Sequence, residues 1–510
     1  MPASTQGRII VVSNRLPVTL CQQGKRWHAE PSSGGLVNAM VPVLRRHGGL
    51  WVGWPGQLGA SARALRRALD QASGNGAYRY HPVSLSSAEH AGFYHGFSNE
   101  IIWPLFHDLF TRCNFDPRYW RIYERVNRKF ARIVSGLACW QDFVWVHDYH
   151  LMELASALRR LSCPARLGFF LHIPFPPLEI FLKLPWRFQI LRKLLAFDLI
   201  GFQTLRDRRN FGQCVHRLLH TPARAVARGT LLQVAHREEE ASHPVAVGSF
   251  PIGIDAQAVR AQALSSESAQ VAATLDEAFP GRCIILGVDR LDYTKGLPNK
   301  LEAFRTALHR YPRLRGRVHL VQHAVPSRHD IPAYQALRLE VERLVGEING
   351  EFTEEGWVPI HYMFHRLSPV HLAAWYRRAD IALVTPLKDG MNLVAKEYCA
   401  SRVERPGVLI LSEFAGAAPQ LQDGALLINP YDVEGTAEAI HRAYRMPASE
   451  RARRMARLWR QVSEQNVYRW AEQYLAAAAQ PEPHRFPPVA DYLPREPAAE
   501  RFIHASLHRA

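Results

Sequence analysis

At 510 residues, 47% hydrophobic and 21% charged, the chain has the make-up of a soluble globular protein with room for two or three domains. It holds no run of about 20 apolar residues, so no membrane span is expected, and its seven cysteines are scattered without a CxxC pair, which argues against a disulfide framework or zinc site and for reduced thiols in the cytoplasm. A formal net charge of +17 admits a nucleic-acid binder, but the excess is almost all arginine, spread along the chain with no zinc-finger, RRM or basic-zipper pattern; a basic cleft also draws phosphorylated metabolites, and no nucleic-acid partner is expected.

The chain starts almost directly in a strand, residues 8–13, with no secretory h-region or cleavage site. Residues 19–33 read as a loop or hairpin insertion, after which Ser33-Gly34-Gly35 opens a helical pattern, LVNAMVPVLRRH. A strand follows at 49–54, then a softer helix-and-loop region at 60–76. Two aromatic helices come next, FYHGFSNEIIWPLFHDLF and YWRIYERVNRKFARIVSGLA. Strands at 143–147, 166–172 and 199–203 alternate with helices, the first of these at 151–161, and Pro174, Pro176 and Pro177 stiffen the loop after the second strand. Residues 221–245, with REEEASHP among them, carry few signals. The domain hand-over is placed at FPIGI, 250–254. Beyond it CIILGV, VHLVQHAV, VPIHYMF, IALVTP, GVLILSE and ALLIN read as strands with amphipathic helices between most of them.

Strands alternating with helices argue for parallel, doubly wound sheets covered on both faces. The fold class is therefore α/β, with two Rossmann-like domains, 1–250 and 251–450, facing across a cleft. Residues 448–479 form a helical, arginine-rich pattern, of which 451–479 is expected to cross back to the N-terminal domain. Residues 480–510 are proline-rich without a packing period and are expected to be disordered.

The stretch LVTPLKDGMNLVAKEY, 383–398, organises the rest. An apolar run meets Pro386 and a loop containing Asp389-Gly390; Asn392 is placed to cap a helix whose first turns hold Leu393, Val394 and Glu397. A buried strand handing over to a helix is where open α/β sheets bind ligands, and amides at the positive helix end favour oxygen-rich ones. Gly390 admits close backbone approach, Asp389 can accept hydrogen bonds from hydroxyls, and Glu397 reaches toward the same pocket. An ordinary strand-loop-helix unit with a solvated Glu fits the same shape. In ILGVDRLDYTKGLPNK, Arg290 and Lys295 share a loop after a strand, two cations able to clamp a diphosphate; a structural bridge from Arg290 to Asp292 or another acid is the alternative. GxGxxG, GxxxxGK[ST], a DxD triplet and HExxH are all missing from the sequence. The cations therefore read as a substitute for Mg²⁺ in stabilising a departing diphosphate, and no metal is expected.

SNR (13–15), SGGL (33–36), FSNEIIWPLFH (97–107), WVHDYHLM (145–152), GFFLHIPFP (168–176), PIGID (251–255), DRLDYTKGLPNK (289–300), TPLKDGMNLVAKEY (385–398), SEFAGAA (412–418) and NPYD (429–432) resemble the trehalose-6-phosphate synthases block by block and in order, over about residues 8–475. That resemblance implies the two-Rossmann GT-B fold and retaining transfer of glucose from UDP-glucose to glucose 6-phosphate, giving trehalose 6-phosphate and UDP with no metal or other cofactor. It implies that Arg290 and Lys295 grip the donor diphosphate and Glu397 its ribose. Asp389 with the amides of Gly390, Met391 and Asn392 would meet the glucosyl hydroxyls, and Leu393 and Val394 the phosphates or ribose through their backbone. Leu367 would meet the base through its main chain, although its side chain departs from the family pattern, and Gly34-Gly35 would close over the donor.

By the same likeness Arg15, Tyr94 and Arg328 grip the acceptor phosphate, Trp103 shapes the sugar site and Asp148 holds acceptor hydroxyls. His172 would contact the transferring glucose through its carbonyl, and Ile173 with Trp103 would select the anomer. The implied catalytic set is Arg290, Lys295, Asp389 and His172. No carboxylate pair stands as nucleophile and acid; the family reaction is a front-face one in which the leaving phosphate oxygen takes the acceptor's proton. Blander readings stay open: Tyr94 and Trp103 as structural aromatics, Asp148 as a helix cap, and His172 as a hydrogen-bonded core residue. Rival functions are a sister glucosyltransferase using glycerol 3-phosphate or a pseudosugar phosphate, an inactive regulatory subunit, and the nucleic-acid binder. The resemblance also implies a homo-oligomer, dimer or tetramer. With no DxDx[TV] start after residue 480, a separate trehalose-phosphate phosphatase is expected downstream. The base stays open between UDP, ADP and GDP.

Overall fold

The computed structural model describes residues 7–23, 26–31, 34–58, 62–73, 76–221, 223–226, 231–235, 244–328, 331–404, 406–479 and 489–494. The chain builds two large sheets, each from β-branched and aliphatic runs that are buried on both faces, as parallel strands under helices must be. Among the described residues the N-terminal sheet has nine strands. Their order is Tyr78–Pro82, Gly49–Trp54, Ile9–Arg15, Phe143–His147, Arg166–Phe170, Leu199–Phe202, Pro244–Ser249, Leu231–Ala235 and Ala223–Val226. All neighbours are parallel as far as Pro244–Ser249, and the last two strands add an antiparallel edge in the region where the sequence carries few signals. Most of REEEASHP lies outside the described residues. The C-terminal sheet has six strands, all parallel, in the order Ile360–Met363, Val318–Val325, Cys283–Arg290, Ile381–Val384, Val408–Ser412 and Leu426–Ile428.

Both sheets are wound outward from a central strand, and each has one point where the winding reverses. In the first it lies between Ile9–Arg15 and Phe143–His147, in the second between Cys283–Arg290 and Ile381–Val384. Ligands of open α/β sheets bind beyond the carboxyl ends of strands at such a reversal. Arg15 and Asp148 follow the first pair of strands; Arg290, Lys295 and Asp389 follow the second. The architecture is thus α/β with two doubly wound sheets presenting their switch points to one cleft.

Of the two readings of residues 19–33, loop or hairpin, the chain adopts the hairpin, Val18–Gln23 against Arg26–Pro31. Several other elements differ from the sequence reading. The first aromatic helix is a π-type helix, Ala91–Ile102, leading into the turn Trp103–Phe106; such wide turns concentrate at functional sites. The helix read at 151–161 is a 3₁₀ turn, Tyr149–Leu151, followed by Leu154–Arg160. The pattern at 448–479 is two helices, Ala448–Glu464 and Val467–Ala479. They part where the inter-sheet crossover runs past: Val467 N–H donates to Ile254 O at 3.1 Å, and Asn466 Oδ1 caps the second helix by accepting from Arg469 N at 3.0 Å. That helix lies on the N-terminal sheet, with the Tyr474 hydroxyl donating to Phe169 O at 2.9 Å and its ring stacked on Trp145 at 4.5 Å.

Within the tail read as disordered, residues 489–494 have a defined place, strapped over both halves. Asp491 pairs with Arg209 at 2.7 Å and its carbonyl accepts from Gln422 at 3.1 Å, while the Tyr492 hydroxyl meets Glu413 at 3.1 Å. The rest of 480–510 lies outside the described residues. Among the described residues no helix is long and apolar enough to cross a membrane.

Candidate active site

The donor-side wall is built by two loops that lock each other. Strand Cys283–Arg290 ends with Arg290 exposed, and the chain then buries Asp292 completely. Asp292 accepts from Thr294 N–H at 3.0 Å and its hydroxyl at 2.9 Å, from the Tyr334 hydroxyl at 3.2 Å and from Arg328 at 3.4 Å. Burial pushes its pKa up, but Arg328, Arg290 and Lys295 together overcome that and hold it at about 2. This carboxylate fixes the turn Tyr293–Lys295. Arg290 forms no bridge to it or to any other carboxylate among the described residues, so the structural alternative for Arg290 is not what the chain adopts. The turn closes on Gly296 with φ 63°, where a Cβ would sit 2.6 Å from Thr385 O, so only glycine fits between the loops.

Lys295 Nζ donates to Asp389 Oδ2 at 2.6 Å, both side chains being about nine-tenths buried (11% and 12% exposed). Asp389 also accepts from Met391 N–H at 3.1 Å and the Asn392 amide at 3.3 Å. Burial works against its ionised form, yet Lys295 brings its pKa below the ordinary carboxylate value. Asn392, left-handed at φ 69°, caps helix Leu393–Ser401 by accepting from Ala395 N at 3.1 Å. As first-turn groups, the Leu393 and Val394 amides have no intrahelical acceptor. One turn on, Glu397 accepts from the Tyr376 hydroxyl at 3.1 Å, and burial raises its pKa. Leu367, half-buried in the loop before helix Pro369–Arg378, packs, as Met391 and Val394 do, against the apolar core that holds Leu393.

On the opposite wall Arg15 is exposed with its guanidinium 5.0 Å from the Trp54 ring centre and no acidic partner among the described residues. The Tyr94 ring stacks between His90 at 5.2 Å and His150 at 5.9 Å. Trp103, 5% exposed, receives Arg328 on its ring at 4.2 Å and Arg290 at 5.5 Å, so one indole from the N-terminal half carries both cations of the C-terminal half. Arg328 also donates to the hydroxyls of Tyr334, at 2.5 Å, and Tyr149, at 3.3 Å. Tyr149 and Tyr334 were not singled out from sequence, and Asp292 only as a partner for Arg290; the one clue to the two tyrosines was their place inside a motif block or near Arg328.

Asp148 holds a left-handed backbone, φ 73°, and caps no helix with its side chain; its Oδ1 accepts from His172 N–H at 3.4 Å. Burial lifts its pKa to about 6, with backbone N–H groups and then Arg290 and Arg328 pulling the other way. The His172 ring is fully engaged. Gln203 Oε1 accepts from Ile252 N at 2.9 Å, so its Nε2 donates to His172 Nδ1 at 3.3 Å. His172 therefore carries its proton on Nε2 and gives it to His147 Nδ1 at 3.0 Å. Burial lowers the His172 pKa to about 3, so the ring stays neutral and serves as a core tie. Its carbonyl, by contrast, faces the donor loop: a Cβ built on Gly390 would lie 2.2 Å from His172 O and 2.8 Å from Ile173 Cα. Ile173 is itself buried. Gly35 meets the same loop, with Leu393 Cδ1 3.3 Å and Met391 Cε 3.4 Å from its would-be Cβ, while Gly34 is exposed and extended. The structure thus gathers Trp103, Asp148, His172, Arg290, Lys295, Arg328, Asp389 and Gly390 at one seam. Glu397 and Leu367 lie farther along the donor wall, and Arg15 with Tyr94 along the other.

A family model described as glycosyltransferase family 20 matches residues 7–480. The trehalose-6-phosphate synthase of Mycobacterium avium is 41% identical over 481 residues, 93% of this chain and 96% of its own length. The bifunctional trehalose-6-phosphate synthase/phosphatase of Thermoproteus tenax is 42% identical over 479 residues; the match takes in 92% of this chain and only 63% of that longer protein. Among solved structures, the Burkholderia xenovorans alpha,alpha-trehalose-phosphate synthase (UDP-forming) in complex with glucose-6-phosphate superposes with a TM-score of 0.83 at 36% identity, covering 93% of this chain and all of that one (100%). An E. coli structure bound with UDP-2-fluoro glucose gives 0.83 at 35% identity, covering 93% and 99%. With the match running through both sheets and the seam between them, the chain belongs to glycosyltransferase family 20.

Proposed function

We propose that the protein transfers glucose from UDP-glucose to glucose 6-phosphate with retention, forming trehalose 6-phosphate and releasing UDP. The observation that carries this reading is the indole of Trp103, which meets Arg290 of the donor loop at 5.5 Å and Arg328 at 4.2 Å and so brings cations for a diphosphate and for a sugar phosphate to one seam. Arg290 and Lys295 stabilise charge on the departing diphosphate. Asp389, oriented by Lys295, meets the glucosyl hydroxyls; the Leu393 and Val394 amides meet phosphate or ribose, Glu397 the ribose, and the Leu367 main chain the base. Asp148 holds an acceptor hydroxyl, and the His172 carbonyl and Ile173 line the glucose on its N-terminal side. By the front-face reaction of the family, the leaving phosphate oxygen takes the acceptor proton and no carboxylate nucleophile is needed. Chemistry rests on positioning and fixed charge, without a metal.

All seven cysteines are free thiols, which supports a cytoplasmic setting. A phosphatase acting on the product is the companion activity this reading calls for; in the Thermoproteus relative synthase and phosphatase are combined in one bifunctional protein. A homo-oligomeric state, dimer or tetramer, completes the proposal and is read by light scattering. The deciding experiment offers the purified protein UDP-, ADP- and GDP-glucose against glucose 6-phosphate and glycerol 3-phosphate, with nucleotide and sugar phosphate measured separately. UDP release with glycerol 3-phosphate and none with glucose 6-phosphate overturns the reading.

Two consequences follow for the acceptor. Arg15→Ala should raise KM for glucose 6-phosphate about tenfold, the loss of one partly solvated charge-assisted hydrogen bond, with kcat within about twofold. For Asp148, whose pKa of about 6 is raised by burial, the carboxylate is lost as pH falls through that value. Below it kcat/KM for the acceptor should fall with an extra proton's steepness beyond that of the acceptor phosphate, which titrates near pH 6 itself. In Asp148→Asn only the phosphate contribution should remain; a variant profile as steep as the parent's would remove Asp148 from the role.

A further inference from the structure

The segment Asp108 to Arg112 touches both donor loops without belonging to either substrate grip. Asp108 Oδ2 accepts from Lys388 Nζ at 2.5 Å, across 280 residues of chain. A few residues on, the Arg112 guanidinium lies 5.0 Å from the Tyr293 ring centre. Lys388 is the immediate neighbour of Asp389, and Tyr293 opens the turn that ends in Lys295. The segment is therefore fastened to each of the two loops that hold the Lys295–Asp389 pair. On its other side it is fastened to the acceptor wall, because His107 Nδ1–H donates to Trp103 O at 2.7 Å, and Trp103 carries Arg328 and Arg290. Asp108 stands in the left-handed region, φ 63°, a conformation a non-glycine residue keeps only where its surroundings hold it. Its side chain is 44% exposed and that of Lys388 13%, so the pair sits at the cleft mouth rather than in its floor. Asp207 and Arg206, from helix Leu205–Leu219, and the neutral His107 ring also face Lys388.

We propose that Asp108, Lys388 and Arg112 form a latch across the mouth of the cleft, positioning residues that bias the two halves toward the closed arrangement in which donor and acceptor walls meet. The contacts are of the weak kind, a partly solvated ion pair and a cation–π contact from an exposed arginine to a buried tyrosine. Weakness suits the task, since closure has to be undone at every turnover to let products leave. A latch of this strength shifts the closed-to-open ratio by a few-fold and does not decide whether the protein folds.

The proposal rests on the glucosyl-transfer reading only for its kinetic readout. The test compares Asp108→Asn, Lys388→Met, Arg112→Ala and the exchanged pair Asp108→Lys with Lys388→Asp. Three quantities are followed: kcat/KM for UDP release, UDP affinity by calorimetry, and hydrogen exchange of residues 385–392 at saturating UDP. Each single variant should lower kcat/KM for the acceptor about fivefold and speed exchange in that loop. UDP affinity should stay within about twofold, because one half of the protein holds the nucleotide, and the exchanged pair should return to within about twofold of the parent. Single variants indistinguishable from the parent in both rate and exchange overturn the latch, as does an exchanged pair no better than the worse single. A parent that releases no UDP sinks the glucosyl-transfer reading instead, and the exchange data then decide the latch alone. If Lys388→Met fails to fold, Asp108→Asn and Arg112→Ala carry the same test.

Discussion

Lys295→Ala should lower kcat by about three orders of magnitude and change the pH dependence of what remains. Removing one preorganised donor to developing charge typically costs about 10²–10³ in kcat. Lys295 has a second duty, because its ammonium at 2.6 Å is what offsets the burial of Asp389. Without it desolvation is left to raise that carboxyl, so the variant's activity should climb with pH through a new ionisation the parent lacks. Arg290→Ala is the matching control. Arg290 pairs with no carboxylate among the described residues and lies over Trp103, so its loss should cost about 10²-fold with no new ionisation. Lys295→Arg should rescue little, since a planar fork cannot replace a point charge seated between two loops. Equal losses in the two alanine variants, with superimposable pH profiles, would refute the double duty assigned to Lys295; a loss under tenfold in either would refute the diphosphate clamp.

What could be read from the chain alone divides by how local its cause is. The strand read over CIILGV, which runs two residues further to Arg290, the Asn392 cap and the helix behind it were legible because each is dictated within a few residues, by an apolar run, a turn and a capping side chain. The alternation of strands and helices carried the two-sheet architecture for the same reason. The break at Gln465-Asn466 was not legible, because the amphipathic pattern continues across it and only the passing crossover at Ile254 enforces it. Nor was the state of the His172 ring, which depends on Gln203 and, through that amide, on Ile252. The resemblance pointed to Arg328 and Trp103, but their stacking, like the engagement of Tyr149 and the Asp108–Lys388 pair, exists only once two sheets face each other. The strap at Asp491-Tyr492 is of the same kind: a polar, proline-flanked stretch has no period to read, and its order comes from partners hundreds of residues away.

Gly390→Ala should cost about 10²-fold in kcat/KM while leaving both halves of the protein folded. Gly390 does not adopt a left-handed backbone, so alanine meets no conformational penalty there. The obstacle lies across the cleft: the new Cβ would stand 2.2 Å from His172 O and 2.8 Å from Ile173 C and Cα, all backbone atoms that no rotamer change can move. Retreat is blocked from behind, because a Cβ on Gly416 would already fall 1.8 Å from Gly390 O, which shows how tightly that glycine supports the loop. Relief therefore requires the two walls to part by about 1 Å, and misplacement on that scale costs a positioned reaction about 10²-fold. Each hydrophobic core is untouched, so the melting temperature should move by no more than about 2 °C, within the range of a change below 1 kcal/mol. UDP affinity should hold within about threefold, since the nucleotide is gripped from one side. Gly416→Ala provides the contrast, a clash inside one half that should lower the melting temperature. If Gly390→Ala kept more than half of the parent's kcat/KM, the close seam between His172 and the donor loop would not be the arrangement in which glucose is transferred.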